Sequence, residues 1–318
     1  MRILKFGGKS LSTIKKTQRI CKYIKKIYKN DKKIIIVVSA MGNTTNNLIK
    51  KVNGFSKRNL SKRELDVLLS TGETASSAIF SIILNSIGVP AKSLQSFQIK
   101  IKTRGEHLSS LITSINKKKI DASLNKNIVC IIPGFQGINS AGDITTLGRG
   151  GSDTTACALG AVYNTSVELY SDFEGIFSGD PRQLNYKKQD KISIESLDRI
   201  TETGSKIVSN RAVKIAKQNN LTLLLKKSST PNKVGSSVSS IETNNISIIT
   251  KNNLCEITID FDNNSRLYFY AKNVILWLNN YKLYNFNVNN NKIVIIINEQ
   301  DKAKILKILG EKLKLLNS

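Results

Sequence analysis

Apolar positions along this chain follow two spacings, and the spacing separates the elements. Residues 34–38 and 128–132 are short unbroken apolar runs rich in Ile and Val, and residues 3–6 are apolar but for Lys5, the signature of strands buried on both faces. Residues 167–170 and 222–225 read as two more. Between them the spacing changes. Ile20, Ile24, Ile27 and Tyr28 recur at helical intervals, and residues 63–69, 75–85, 156–162 and 194–213 also read as helical. Ser70-Thr71-Gly72-Glu73 interrupts the second of these helical stretches. Strand alternating with helix predicts an α/β fold around a mainly parallel sheet. Residues 228–240, rich in Ser with Asn and Pro, read as loop and linker. Beyond them a smaller βαββα unit is expected, with strands at 246–250, 256–259 and 292–297 and helices at 274–280 and 302–315. The predicted division is therefore 1–240 and 245–318.

Composition narrows the class. With 318 residues and 40% hydrophobic content the chain can bury a sizeable core. No apolar run approaches the ~20 residues that span a bilayer, and residue 3 already begins a strand, with no leader pattern. A cytoplasmic protein with no membrane contact is the expectation. Cys21, Cys130, Cys157 and Cys255 form no C-x-x-C pair, and His107 is the single histidine. Zinc sites, disulfide frameworks and His-based triads are excluded, and no metal-ligating residues are assigned. His107 itself reads as an ordinary loop residue. Net charge is +26, yet the lysines are spread through every helix rather than gathered in one stripe. That distribution favours solvated faces over a nucleic-acid site, while the positive potential would still draw in anionic small molecules.

The chemistry concentrates in loops that follow strands. Lys5-Phe6-Gly7-Gly8 ends the first strand, and a glycine turn between strand and helix lets backbone N–H groups meet phosphate. The second strand ends in Ser39-Ala40-Met41-Gly42-Asn43-Thr44-Thr45. Residues 145–155 (T-T-L-G-R-G-G-S-D-T-T) combine glycines, hydroxyls, Arg149 and Asp153 just before a helix. There Arg149 can grip a carboxylate or phosphate bidentately, and Ser152 or Asp153 is a natural N-cap. Each block alone also fits a bland structure: a capped turn, a polar loop or a helix cap.

Together and in this order the blocks resemble aspartate kinases of the amino-acid kinase superfamily. The string at 145–156 resembles the family's signature loop. Residues 5–10 resemble K-F-G-G-T-S, with Lys9 in place of threonine. Residues 38–46 resemble V-S-A-M-G-x-T-T-D, with Asn46 in place of aspartate. Residues 70–73 match S-T-G-E. Residues 170–182 resemble Y-T-D-V-D-G-V-Y-T-A-D-P-R, and residues 204–213 resemble G-A-K-V-L-H-P-R-A-V, with Ser209 and Asn210 in place of His and Pro.

The resemblance implies a three-layer αβα sandwich and ATP-dependent phosphorylation of the L-aspartate side-chain carboxylate, early in aspartate-family amino-acid biosynthesis. ATP with Mg²⁺ is the implied nucleotide. It implies Lys5, Lys206 and Asp153 as catalytic. Lys5, Phe6, Gly7, Gly8, Ser171, Asp172, Phe177, Ser178, Gly179, Asp180, Pro181 and Arg182 would bind ATP. Ser39, Thr45, Glu73, Arg149, Gly150, Gly151 and Ser152 would bind aspartate, with Glu73 reading the α-amine. Residues 245–318 resemble one ACT module where the family usually has two, and residues 262–265 lack the Pro-Gly of an effector loop. The module is expected to support a homodimer rather than feedback control.

Overall fold

The computed structural model describes residues 1–54, 60–202, 207–233, 235–241, 243, 245–250 and 256–317. Its contacts divide the chain into two compact units. One is Met1–Glu174 with Val208–Val234, and the other is Gly175–Ile207 with Gly235–Ser318. The division is not the linear one expected from sequence. The excursion 175–207 belongs with the C-terminal residues because its side chains complete their core, as set out below.

The first unit contains β1 (Arg2–Phe6), α1 (Ile14–Tyr28), β2 (Ile34–Val38), α2 (Thr44–Asn53), α3 (Lys62–Ser86), β3 (Ala91–Ser93), β4 (Lys102–Arg104), β5 (Leu111–Ser114), α4 (Lys118–Leu124), β6 (Val129–Pro133), β7 (Gln136–Ile138), β8 (Ile144–Thr146), α5 (Gly151–Tyr163) and β9 (Val167–Ser171). The strand Leu223–Lys227, then β9, β1, β2, β6 and β3, lie side by side and parallel. Alternation along the strands builds the layers. Leu4, Phe6, Ile34, Ile36, Val38, Val129 and Ile131 face α1 and α3, packing with Ile20, Ile24, Phe80 and Leu84. The alternate positions face the other way: the Cys130 thiol reaches the Ile120 carbonyl of α4, and Lys5 reaches Asp153 of α5. This is the three-layer arrangement expected. A second small sheet, β5-β4-β7-β8, flanks it.

The helix α3 departs from the sequence reading. It runs unbroken through residues 70–73. The Ser70 and Thr71 hydroxyls donate to the carbonyls of Val67 and Leu68, three residues back, and so stay inside the helix. Gly72 lies where a Cβ would come 2.9 Å from the Ala40 Cβ, so the glycine marks a close approach rather than a break. Among the described residues α3 is the one helix long and apolar enough to cross a membrane, and half of that stretch is buried inside the fold. It also buries Asp66 and Glu73, the face of a core helix.

The second unit holds an antiparallel four-stranded sheet in the order Ile246–Thr250, Glu256–Phe261, Lys292–Ile297, Leu283–Asn289. Helices Leu267–Trp277 and Lys302–Lys312 pack on it, giving one strand more than the βαββα expectation. Leu283–Asn289 lies outside that expectation although Tyr284, Phe286 and Val288 alternate with Asn285, Asn287 and Asn289, the period of a strand covered on one face. The first helix begins well before residue 274. The stretch read as linker contains a strand, Ser236–Ser239, parallel to Lys191–Ser193. The stretch read as one helix over 194–213 is two, Ile194–Glu202 in the second unit and Asn210–Gln218 in the first. Tyr186 lies in the core of the second unit with Ile257, Ile295, Leu306 and Leu309. Arg199 makes a two-pronged bond to the buried carboxylate of Asp260, at 2.7 and 3.0 Å.

The tight Gly72–Ala40 contact gives a test. Alanine at 72 gains about 1 kcal/mol of helix propensity, but the clash costs about 1–3 kcal/mol. Gly72→Ala is expected to lower the urea midpoint, and Gly72→Ala with Ala40→Gly to recover it.

Candidate active site

Every open parallel sheet offers ligands the edge beyond its strand carboxyl ends, and the predicted residues of the first unit gather there. Lys5 is the second-last residue of β1, in register with Val37 and Leu169, so its ammonium rises through buried surroundings to the edge. Its Nζ pairs with Asp153 Oδ1 at 2.7 Å, the two side chains retaining 13% and 12% of their exposure. Asp153 reaches it from the first turn of α5, where a carboxylate also suits the positive end of the helix dipole.

The glycines are here for proximity. A Cβ on Gly8 would stand 2.6 Å from the Ala40 carbonyl oxygen, and one on Gly7 3.4 Å from Lys5 Nζ. The Gly42 amide donates to Gly8 O at 2.9 Å, tying the loops after β1 and β2 together. Gly150 adopts φ +70 and precedes α5 with no side-chain cap. Ser152 and Asp153 are therefore inside the helix and not its N-cap, which corrects the sequence expectation. The side chain of Ser152 is used sideways instead: Ser39 Oγ donates to Ser152 Oγ at 3.0 Å. A Cβ on Gly150 would meet the Ser209 Cβ at 2.3 Å. Ser209, in the place of a histidine, caps the helix Asn210–Gln218 by accepting from the Ala212 amide, and its hydroxyl lies 3.3 Å from Thr154 Oγ1. Ser209 is thereby a good N-cap for that helix.

Glu73 carries the unusual electrostatics. The side chain is buried, Oε1 accepts from the Ala40 amide at 3.0 Å, and Oε2 has no partner. Burial pushes its pKa from the usual 4.5 to about 7, against the backbone hydrogen bonds that pull it down. A buried carboxylate oxygen with nothing to accept from is an acceptor waiting for a donor.

The remaining predicted residues divide. Thr45 is half-buried in the first turn of α2, and Arg149 is exposed at the tip of its loop with no ion pair among the described residues. Gly151 opens α5. Lys9 points outward, 76% exposed, and pairs with Asp172 at 3.2 Å; the Ser171 hydroxyl accepts from the Phe173 amide. In the second unit Phe177 pairs antiparallel with Lys188, and the buried Ser178 donates to the Leu315 carbonyl. A Cβ on Gly179 would strike the Tyr186 ring at 2.5 Å. Pro181 sits between Asp180 and Arg182, whose guanidinium folds back on Asp180 through three bonds of 2.6 to 3.2 Å. Lys206 lies outside the described residues. Two residues escaped sequence reasoning: Asp66 belongs to no motif string, and Arg211 lies within the 204–213 string without a role assigned to it. Arg211 donates to the Leu147 carbonyl at 2.8 Å and to Ser109 Oγ at 2.7 Å. Asp66 holds His107 at 2.6 Å, so that histidine is an anchored residue and not an ordinary loop one.

The Amino acid kinase family model matches residues 1–227. Aspartokinase of Pseudomonas aeruginosa is 38% identical over 223 residues, 70% of this chain and 54% of that protein. Aspartokinase of Rickettsia bellii is 35% identical over 267 residues, covering 81% of this chain and 66% of that one. The chain thus spans about half to two thirds of the length of the curated relatives it matches. Among solved structures, E. coli aspartokinase III in complex with aspartate and ADP superposes with a TM-score of 0.70 at 20% identity, covering 99% of this chain and 84% of that chain. Aspartate kinase from Synechocystis does so at 0.67 and 25%, covering 100% and 56%.

Glu73 sets a pH dependence. Its folded pKa lies above the unfolded one, so the folded state binds the extra proton between them and stability falls as pH rises from about 4.5 to about 7. A shift of that size is worth on the order of 3 kcal/mol. Glu73→Gln is expected to raise the melting temperature at pH 8 and to flatten this part of the stability profile.

Proposed function

The chain belongs to the amino acid kinase family, and from that premise we propose that it transfers the γ-phosphoryl group of ATP to the side-chain carboxylate of L-aspartate, giving 4-phospho-L-aspartate. The observation that carries the reading is the pairing of two charges at one sheet edge: an ammonium held by Asp153, and the unpartnered buried Oε2 of Glu73. The first suits a phosphate and the second a substrate amine. The relatives named above, aspartokinases at 35–38% identity, support the same substrate.

The acceptor carboxylate is ionised at neutral pH, so the reaction needs no general base. What it needs is two anions brought in line and the charge spread over the moving phosphoryl group neutralised. Lys5 meets that charge directly. Asp153 orients its ammonium without leaving it free to wander, and the amides of Gly8 and the α5 N-terminus add neutral donors, whereas the Gly7 amide is taken by the Tyr170 carbonyl at 3.2 Å. Lys206 completes the pair of ammonium groups in this proposal. Glu73 receives the α-amine, Arg149 the α-carboxylate, and Ser39, Thr45, Gly150, Gly151 and Ser152 line the rest of the amino-acid subsite. Ser171 and Asp172 take the nucleotide in this reading, and residues 177–182 keep the nucleotide-loop role that the resemblance implies for them. Among the described residues no three His, Cys, Asp or Glu form a cation cage. Mg²⁺ would therefore travel on the ATP phosphates with mostly water ligands, supplying charge neutralisation. The same proposal covers a cytoplasmic enzyme of lysine and threonine biosynthesis, dimeric through its ACT-like C-terminal unit.

The decisive assay is trapping of the acyl phosphate as a hydroxamate with ATP and L-aspartate. Product dependent on both is expected; ATP hydrolysis without aspartyl hydroxamate would overturn the assignment. Lys5→Ala is expected to lower turnover by about 100-fold or more with folding intact. Aspartate binding near pH 6.5 is expected to release a proton, because an ammonium pulls the Glu73 pKa down; calorimetry in two buffers of different ionisation heat reads this directly.

A further inference from the structure

Asp66 is fully buried, and seven residues separate it from Glu73 on the same helix. Seven residues are two turns, so both carboxylates lie on one face of α3, about 10 Å apart along its axis. Three donors converge on Asp66. His107 Nδ1 lies at 2.6 Å, the Leu108 amide at 3.1 and 3.2 Å from its two oxygens, and the Thr146 hydroxyl completes the set. These donors come from two segments that are distant in sequence: the loop between β4 and β5, and the end of β8. The next residues after Thr146 are Leu147, Gly148 and Arg149.

The two segments touch one another at strained backbone. Leu108 has φ +68, which is rare for a branched residue, and Gly148 has φ +73. A Cβ on Gly148 would stand 3.0 Å from the Leu108 carbonyl oxygen. Asp66 pins Leu108 through its amide, and Leu108 abuts Gly148, the neighbour of Arg149. Arg211 grips the same two segments from the other side, through Leu147 O, Ser109 Oγ and the carbonyls of Ser109 and Ser110. Further along α3, Gln136 of β7 donates to the Ser70 carbonyl and to the Thr74 hydroxyl just past Glu73, both at 3.3 Å. The polar face of α3 is thus fastened to the small sheet at each turn.

Stability alone is a poor reason for this arrangement. A carboxylate buried among mostly neutral donors costs more than an apolar side chain of similar volume. We propose that Asp66 is a positioning residue that fixes the loop carrying Arg149 at a set distance from Glu73, and so sets the affinity for the amino-acid substrate. The inference rests on the reading that Arg149 and Glu73 hold the α-carboxylate and α-amine of that substrate.

Asp66→Asn in the full chain keeps the volume but replaces one acceptor oxygen with a donor. The expected result is a KM for L-aspartate raised about ten-fold or more, with the KM for ATP within about two-fold. Amide exchange is expected to speed up in residues 106–111 and 145–149 and to stay slow in α5. His107→Asn, which keeps a donor in place of Nδ1, is expected to hold the aspartate KM near that of the parent. Equal rises in both KM values, or an unchanged aspartate KM with faster exchange, would overturn the positioning role. Should Asp66→Asn fail to fold, Thr146→Val removes one donor at constant shape and must raise the aspartate KM selectively. If the parent enzyme shows no aspartate-dependent turnover, the functional reading fails on its own, and unchanged exchange in the two segments then overturns the positioning separately.

Discussion

A charged nitrogen at the mouth of an apolar parallel sheet is the constraint that shapes the first unit. Lys5 stands on a strand whose neighbours Leu4 and Phe6 are fully buried. An ammonium left half-desolvated there without a partner would cost several kcal/mol. Asp153 removes most of that cost, but only if α5 starts close enough for its first turn to reach the end of β1. The helix must therefore begin at Gly151, and the chain must arrive through Gly150 in the left-handed region, packed against Ser209. The glycine loop, the start of α5 and the cap of the helix Asn210–Gln218 all follow from placing one ion pair. The pair keeps some exposure, so its worth to stability is modest; its value lies in holding the ammonium where an anion can replace or join Asp153.

The same economy of buried charge recurs elsewhere. Glu168, inside the sheet, receives Lys226 at 2.7 Å and the Tyr170 hydroxyl at 2.7 Å, with the Arg2 guanidinium beside it. Burial pushes its pKa up, but these partners outweigh it and the net shift is downward. Glu73 is the contrast: among the described residues it has backbone donors and no cation, and its pKa moves up. Of these two carboxylates with similar burial, the fold satisfies Glu168 and leaves an oxygen of Glu73 to be satisfied by something else.

Strands β2 and β6 were legible because strands covered on both faces are continuous apolar runs, β1 and β9 because a single charged residue, Lys5 or Glu168, interrupts an apolar stretch, and α1 because its apolar face repeats at helical spacing. The break predicted in α3 was an error of local propensity. Ser, Thr and Gly are poor helix formers in isolation, but Gly72 is there because Ala40 comes too close for any side chain. The motif-borne residues Lys5, Ser39, Glu73, Ser152 and Asp153 could be found in sequence because each belongs to a string. The contacts of Asp66 and Arg211 could not, since Asp66 belongs to no string and Arg211, though inside one, acts through partners 64 to 102 residues away, as Asp66 does through partners 41 to 80 away. The strand Ser236–Ser239 was missed for a similar reason, since pairing and not composition makes it a strand, whereas Leu283–Asn289 carries an alternation that the sequence reading passed over.

The path of the backbone between the two units carries a consequence for synthesis. The chain leaves the first unit after Glu174, builds part of the second, returns at Val208 for a helix and a sheet strand, and leaves again after Val234. A nascent polypeptide can finish the first unit once that returning strand has emerged. The excursion bearing Tyr186 and Arg199 must then wait, its apolar and charged groups uncovered, for Asp260 and the core of the second unit to be made. Cutting the gene between residues 240 and 245 would leave that excursion stranded permanently, so the visible seam in the sequence is the wrong place to separate the halves.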